Sequence, residues 1–169
     1  SGEEHFNIMS AFHKSMRGSD PQAALYWMAR MFEGGEDPMW VARRIVRFAS
    51  EDIGLADPNA VGVAVAARDS FHFLGKPEGL LALAQAAVYM ATAPKSNAIY
   101  KAFNDVTAEI RDGAVHDVPQ HLRNAPTKLM KDLGYGSGYQ YAHDMEHGIA
   151  DHDHLPDALA GTTWYSPSD

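Results

Sequence analysis

Three Asp-Pro pairs divide the first part of the chain into helical segments: Asp20-Pro21, Asp37-Pro38 and Asp57-Pro58. In each pair the aspartate can accept hydrogen bonds from the free amides of a first helical turn. The proline costs nothing there, because its missing N–H would have had no partner. The apolar segments that follow end at Gly34, Gly54 and Gly75, where left-handed C-terminal caps are predicted. This pattern of starts and stops predicts an all-α fold.

Further helices are predicted on both sides of these segments. An opening helix over about 4–16 places Phe6, Met9, Phe12 and Met16 on one face. Others are expected from near Pro77 to before Pro94, from Ser96 to about Asp112, and over 126–133. Residues 61–65 alternate like a strand, but they lie inside an alanine-rich segment with helical start and stop signals, so a helix is predicted there too. The total is six or seven helices.

The domain boundaries follow from a change in composition. Residues 1–2 (Ser-Gly) are interpreted as a cloning scar on a domain excised from a longer protein, and residues 3–133 as a compact helical bundle. Residues 134–169 are rich in Gly and Tyr and then in His and Asp, with prolines that disfavour long elements. Their aromatic content predicts an extended C-terminal arm packed on the bundle.

Composition excludes several classes of protein. A chain of 169 residues suits one domain, and the absence of Cys removes disulfides, Cys-ligated zinc, iron–sulfur clusters and cysteine nucleophiles. The net charge of −8 rules out a surface that is basic all over. The longest apolar run, 80–93, is shorter than the roughly 20 residues that cross a bilayer, so no membrane span is expected.

Two segments, 23–32 and 80–93, are apolar nearly all the way round their helices. Surface helices of a monomer normally keep one polar face. Either both helices are central in the bundle, or a contact between identical subunits covers them; the pattern leaves both alternatives open. If they form a homo-oligomer interface, the candidate contacts are Trp27, Met28, Met31, Leu80, Leu81 and Met90.

The alternative hypothesis is that the chain is a DNA-binding module that uses local basic patches. On the third helix Arg47 has Glu51 at the i,i+4 spacing of an ion pair, whereas Arg44 has no carboxylate at that spacing. Residues 119–131 are locally basic within an acidic chain. The candidate phosphate contacts are Arg43, Arg44, Arg123, Lys128 and Lys131.

Signatures of catalysis are missing. The glycines at 134, 136 and 138 lack the order of a phosphate-binding loop, and neither G-x-S-x-G nor H-E-x-x-H occurs. The most metal-like stretch is 143–154, with His143, Asp144, Glu146, His147, Asp151, His152, Asp153 and His154. Its spacing is not diagnostic, so a solvated polar loop is favoured over a metal enzyme, and no catalytic, cofactor or metal residue is assigned.

Several motifs nevertheless resemble one AAA+ ATPase family. They are residues 10–15 and 17–21 with 24–27, Arg43-Arg44 followed by 49–58, 93–98 with Tyr100, 121–131 through 134–136, and 141–144. In this order they resemble the C-terminal region of the replication-associated recombination protein A (RarA or MgsA) group. The eukaryotic relative in that group is the Werner helicase-interacting protein. The resemblance runs from about Phe6 to the last residues.

The resemblance implies a function that the residues alone do not. In that family the region follows an ATPase core and its lid, resembles the helical collar of clamp loaders, and forms a homotetramer. The parent is expected to be a cytoplasmic, nucleoid-associated, DNA-dependent ATPase that acts at stalled or gapped forks with single-strand-binding protein. Its nucleotide-binding motifs are absent from these 169 residues, so ATP and Mg²⁺ are expected only in the ATPase part.

Overall fold

A computed structural model describes residues 2–148 and 153–167, and every regular element in that part of the chain is helical. The α-helices are α1 (Gly2–Arg17), α2 (Pro21–Glu33), α3 (Pro38–Phe48), α4 (Ala60–Leu74), α5 (Leu80–Thr92), α6 (Ala98–Asp112) and α7 (Lys128–Asp132). This confirms the all-α fold and the helix assigned to residues 61–65. None of the helices described has both the length and the apolar character of a membrane span.

The predicted caps form at two of the three Asp-Pro starts. The Asp20 carboxylate accepts from the Ala23 amide at 2.9 Å, and Asp37 accepts from the Met39 amide at 2.9 Å. The third start was placed too early: α4 begins at Ala60 and not at the proline. There Asp57 accepts from the Asn59 amide at 3.0 Å and from the Tyr89 hydroxyl, so its carboxylate closes a turn that precedes the helix.

The C-terminal glycines follow the prediction in two cases. Gly54 and Gly75 have φ of +53° and +71°, which an L side chain rarely adopts. Gly34 has φ of −81°, so it is not a left-handed cap; the next residue, Gly35, takes that role with φ of +86°.

The described chain forms two compact units. The first contains residues 2–105 with 165–167, and in it α5 packs against α1, α2, α3 and α4. This central position explains the buried residues of α5, such as Leu83 and Met90, but it does not explain Leu81, which is exposed. The largest fully buried side chains of this unit include Phe12, Met16, Phe48, Ile53, Leu83 and Met90.

The third helix does not run on to Gly54 as one α-helix. It ends at Phe48, and residues Ala49–Ile53 form a π-helical turn followed by a 3₁₀ turn, Gly54–Ala56. A π turn is wider than an α turn, so it changes which side chains face inward. Here it buries Ala49, Ile53 and the carboxylate of Asp52.

The second unit contains the described residues between 106 and 164, so the division falls within α6 and not at the boundary expected after residue 133. The segment before residue 133 is tied to the glycine-rich loop after it, which explains the difference. Gln120 accepts from the Gly136 amide at 2.7 Å through its carbonyl, and its side chain donates to the Leu133 carbonyl. Packing of the arm on the bundle stays a prediction.

Candidate assembly surface and charged sites

The six interface candidates have different environments. Met28, Met31 and Met90 lie in the core of the first unit, and we therefore reassign these three from interface to core. Trp27 and Leu80 are half-buried against the same core. Leu81, in contrast, is 74% exposed. Whether Trp27, Leu80 and Leu81 contact another copy of the chain stays a prediction.

Two further apolar side chains are exposed shortly before Leu81 in the sequence. Phe73 is 88% exposed and Leu74 is also exposed, at the end of α4, just before the turn that leads into α5. We call Phe73, Leu74 and Leu81 the α4–α5 patch. Phe73 is not among the predicted contacts, although a signal for it exists in the sequence: residues two apart on a helix do not share a face, so Phe71 and Phe73 cannot both enter the core. Phe71 is the buried one.

The two helices that carry the α4–α5 patch contain few charged residues, although the turn between them adds Lys76 and Glu78, both exposed. Helix α5 contains no Asp, Glu, Lys or Arg. In α4 the only such residues are Arg68 and Asp69, and the Arg68 guanidinium donates to the Asp69 carboxylate at 2.9 and 3.0 Å. Large exposed apolar groups on helices with so few charges are typical of protein-interaction surfaces.

A buried charge network links α1 to the π turn. His13 donates from Nε2 to Asp52 Oδ2 at 2.8 Å, and Arg17 donates from Nε to Asp52 Oδ1 at 2.8 Å. His13 Nδ1 is buried and has no hydrogen-bond partner among the described residues. Burial lowers the pKa of His13, against the opposing effect of Asp52, whereas the hydrogen bond to Asp52 raises the pKa of Arg17.

An open cleft of about 450 Å³ lies beside this network, lined by Arg17, Glu51, Asp52, Lys95, Ser96, Asn97 and Tyr100. Its cations are already engaged within the first unit. Lys95 donates from Nζ to the Ser19 hydroxyl and to the Ala91 and Ala93 carbonyls, at 2.7–2.9 Å. Burial lowers the pKa of Lys95. Arg17 and Lys95, the two cations that line the cleft, are both engaged in these bonds, so the cleft is explained by packing between helices and not by ligand binding.

Helix α3 carries the first group of candidate DNA contacts. The predicted pair is confirmed: Arg47 Nε donates to Glu51 Oε2 at 3.0 Å. Arg43 is exposed, and Arg44 is half-buried without a carboxylate within 4 Å among the described residues. Burial, and next the charge of Arg47, lower the pKa of Arg44.

The other candidate DNA contacts, Arg123, Lys128 and Lys131, belong to the second unit. Arg123 Nε donates to the Val118 carbonyl at 2.8 Å, and its guanidinium lies 4.9 Å from the centre of the Tyr135 ring. Lys128 and Lys131 are exposed on α7, and neither forms an ion pair in the part of the chain that is described.

Metal-ligand geometry occurs at one unexpected place. Among the described residues, only His13, Glu51 and Asp52 bring three donor atoms within 4.8 Å of one another. Arg17 and Arg47 already hold the two carboxylates, so this group is explained by ion pairing. The stretch 143–154 forms no such group in its described part, where His147 pairs with Glu146 at 3.3 Å; Asp151 and His152 lie outside the described residues.

Comparison with known proteins identifies the family. The family model for the C-terminal region of MgsA AAA+ ATPases matches residues 18–169. Replication-associated recombination protein A of Coxiella burnetii is 55% identical over 98% of this chain, and that of Escherichia coli K12 is 52% identical over 99%. The chain spans only 38% of the length of each of these relatives. ATPase WRNIP1 of Dictyostelium discoideum is 49% identical over 86% of the chain, which spans 17% of that relative. The chain thus belongs to the MgsA C-terminal family of replication-associated recombination AAA+ ATPases.

Proposed function

We propose that this chain is an assembly domain: identical copies associate through the α4–α5 patch into a homotetramer. Four AAA+ ATPase subunits would thereby act together on one DNA junction during replication, recombination and repair. The observation that carries the proposal is the exposure of Phe73 and Leu81 on two consecutive helices, of which α5 contains no Asp, Glu, Lys or Arg and α4 contains only the paired Arg68 and Asp69. Burying a large apolar side chain contributes about 1.5–3 kcal/mol, so several copies of this patch would favour association.

The family resemblance supplies the rest of the proposal. A tetramer, a collar like that of clamp loaders, and engagement of forked or gapped DNA with single-strand-binding protein are carried over from the group. A cytoplasmic, nucleoid-associated location is carried over in the same way. ATP and Mg²⁺ are proposed to bind in the ATPase part of the parent, and this chain is proposed to have no catalytic role.

Light scattering coupled to size exclusion tests the assembly, with the chain run over a range of micromolar concentrations. We expect the mass of four copies. Leu81→Glu should lower that mass, because a charge in a buried contact is costly to desolvate. Leu129→Glu is the matched control, since Leu129 is a similarly exposed leucine in the second unit. A monomer at every concentration would refute the proposal, and a dimer would refute the tetramer.

The rival DNA-binding function makes a different prediction. Contacts from Arg43 and Arg44, together with those from Arg123, Lys128 and Lys131, would give fork binding that weakens steeply with salt. A titration with labelled fork DNA at two salt concentrations measures this. Binding that Leu81→Glu removes along with the tetramer would show that DNA contact depends on assembly. Binding that is lost only in an Arg43→Gln, Arg44→Gln double variant would favour direct contact.

A further inference from the structure

The second unit contains an apolar pocket that neither of the functions above uses. It measures about 270 Å³, and its lining includes the apolar side chains of Val106, Ile110, Val115, Leu155, Leu159 and Trp164. An apolar cavity of about 150 Å³ accommodates a benzene ring, so this pocket has room for one large apolar side chain. We propose that it binds a basic peptide segment of a partner protein, which lies extended along the pocket and inserts one apolar side chain. The α4–α5 patch has no part in this, because every residue involved belongs to the second unit of one copy.

Internal hydrogen bonds hold both sides of the pocket in place. One side is the end of α6 with the residues that follow it, and the other comes from 155–164. The Gly113 amide donates to the Glu109 carbonyl at 2.9 Å, and a Cβ at Gly113 would lie 2.6 Å from that carbonyl oxygen, so a glycine is needed where the chain leaves α6. On the other side, the Leu159 amide donates to the Pro156 carbonyl at 2.8 Å. The pocket is therefore formed before any ligand arrives.

Apolar side chains at the pocket are open to a partner. Val115 is 84% exposed and Ile110 is 59% exposed, although both line the pocket. Binding sites of this kind are mostly apolar and have a few polar groups that fix orientation; here Glu109 and His116 are the polar side chains of the lining. An apolar anchor from a partner would cover surface that this unit leaves exposed.

The backbone of residues 114–118 is available for pairing with a peptide. These residues belong to no helix or turn, and all five are exposed. Among the described residues, none of their amides donates a hydrogen bond, and of their carbonyls only that of Val118 accepts one, from Arg123. An extended peptide can bond to such backbone groups, which supply affinity while a pocket selects the side chain. Ala114 and Val115 also line the pocket, so one peptide can reach both features.

Charge favours a basic partner. Residues 106–117 and 153–164 together contain five Asp or Glu residues and a single Arg. Glu109 lines the pocket, and Asp117 and Asp157 each follow a lining residue in the chain. None of these three carboxylates forms an ion pair in the part of the chain that is described. Lys or Arg beside the apolar anchor would complement them, whereas an acidic peptide or a nucleic-acid strand would be repelled.

Selection from a random peptide library displayed on phage tests the proposal on the whole chain. We expect the enriched peptides to share one large apolar residue flanked by Lys or Arg. Enrichment of acidic peptides, or the absence of a shared pattern, would overturn the proposal. A labelled synthetic peptide with the shared pattern then gives the affinity by fluorescence anisotropy.

Two changes at the pocket separate its apolar contact from its charge. Ile110→Ala removes part of the apolar wall and should weaken peptide binding about fivefold. Leu129→Ala is the matched control, because Leu129 is similarly exposed in the same unit but does not line the pocket. Wild-type affinity in Ile110→Ala would overturn the proposal.

The charge is tested by a double variant, Glu109→Gln with Asp157→Asn. It should weaken binding about fivefold at low salt and less at high salt, because the two lost pairs are exposed. The control double variant, Asp132→Asn with Asp144→Asn, has the same net charge and changes two exposed carboxylates of the same unit outside the pocket lining. Equal affinities in the two double variants would overturn the basic character of the partner.

Hydrogen–deuterium exchange on the unaltered chain provides a test that needs no variant. The amides of 114–118 should exchange rapidly in the free chain and slowly when the synthetic peptide is bound. Protection confined to other segments would overturn the proposal. Protection of 114–118 that increases with protein concentration in the absence of peptide would also overturn it, because a second copy of the chain would then occupy the pocket.

Discussion

His13 and Asp52 are 39 residues apart in sequence, and a 2.8 Å hydrogen bond joins them in the interior of the first unit. A carboxylate oxygen only accepts, so His13 carries its proton on Nε2 and leaves the buried Nδ1 bare. The second proton of an imidazolium would therefore have no acceptor at Nδ1. The pair fixes α1 against the π turn in one protonation state of the histidine.

The stability of the first unit should consequently fall in mild acid. Burial lowers the pKa of His13 below its ordinary value of 6.5, so the unfolded chain takes up this proton first as the pH drops. The contribution of His13 is complete above pH 6.5 and is lost as the pH falls from 6.5 towards the folded-state pKa. Urea unfolding at pH 7.5 and 5.5 measures the change.

His13→Gln is the control for this pH effect. A glutamine Nε2 can still donate to Asp52, but it does not titrate, so the variant should lose less stability between the two pH values than the wild type. Equal losses in the two proteins would contradict the assignment, because the remaining carboxylates are common to both.

Neighbouring carboxylates on the π turn should differ in their contribution to stability. Asp52→Asn removes the charge that the buried His13 and the partly exposed Arg17 share, and we expect a loss of about 2 kcal/mol in the free energy of unfolding. Glu51→Gln breaks the pair with exposed Arg47 and should cost less than about 1 kcal/mol. Urea denaturation of both variants gives the comparison. Similar losses would show that the Asp52 network is no stronger than a surface pair.

Local chemistry explains which parts of the fold were predictable. Asp20 and Asp37 cap their helices through amides two or three residues away. Both partners of each bond therefore lie in one short stretch of sequence, and the cap can be predicted from that stretch. The π turn was not predictable in this way. Its geometry buries Asp52, and that burial depends on His13 and Arg17, which lie on a different helix.

The candidate assembly surface shows a second limit. Helix α5 is apolar on all sides, so it has no polar face to indicate which residues point outwards. Met90 and Leu81 were consequently predicted as equals, although one is in the core and the other is exposed.

Two glycines of the α4–α5 hairpin should respond oppositely to a methyl group. Gly62 lies inside α4 with open space around the position of a Cβ, so Gly62→Ala should stabilise the fold by about 0.5–1 kcal/mol. At Gly79 a Cβ would lie 2.7 Å from the Gly75 carbonyl oxygen and 2.8 Å from the Phe71 Cα. Gly79→Ala should therefore destabilise the fold by about 1–3 kcal/mol. Thermal unfolding of both variants decides, and a stabilised Gly79→Ala would show that the hairpin end is looser than described.

A buried residue and an exposed residue of α5 should respond differently to truncation to alanine, both in unfolding free energy and in association. Met90→Ala opens a cavity at a fully buried position and should cost about 2–5 kcal/mol in unfolding free energy. Leu81→Ala removes an exposed side chain, so the unfolding free energy of dilute protein should change by less than about 0.5 kcal/mol. Leu81→Ala should nevertheless weaken association between copies of the chain. An apolar contact at an interface is worth about 1 kcal/mol or more, which is a factor of about five in affinity. Urea unfolding and concentration-dependent light scattering on both variants test this. If Leu81→Ala leaves association unchanged, the exposed face of α5 is not where copies of the chain meet.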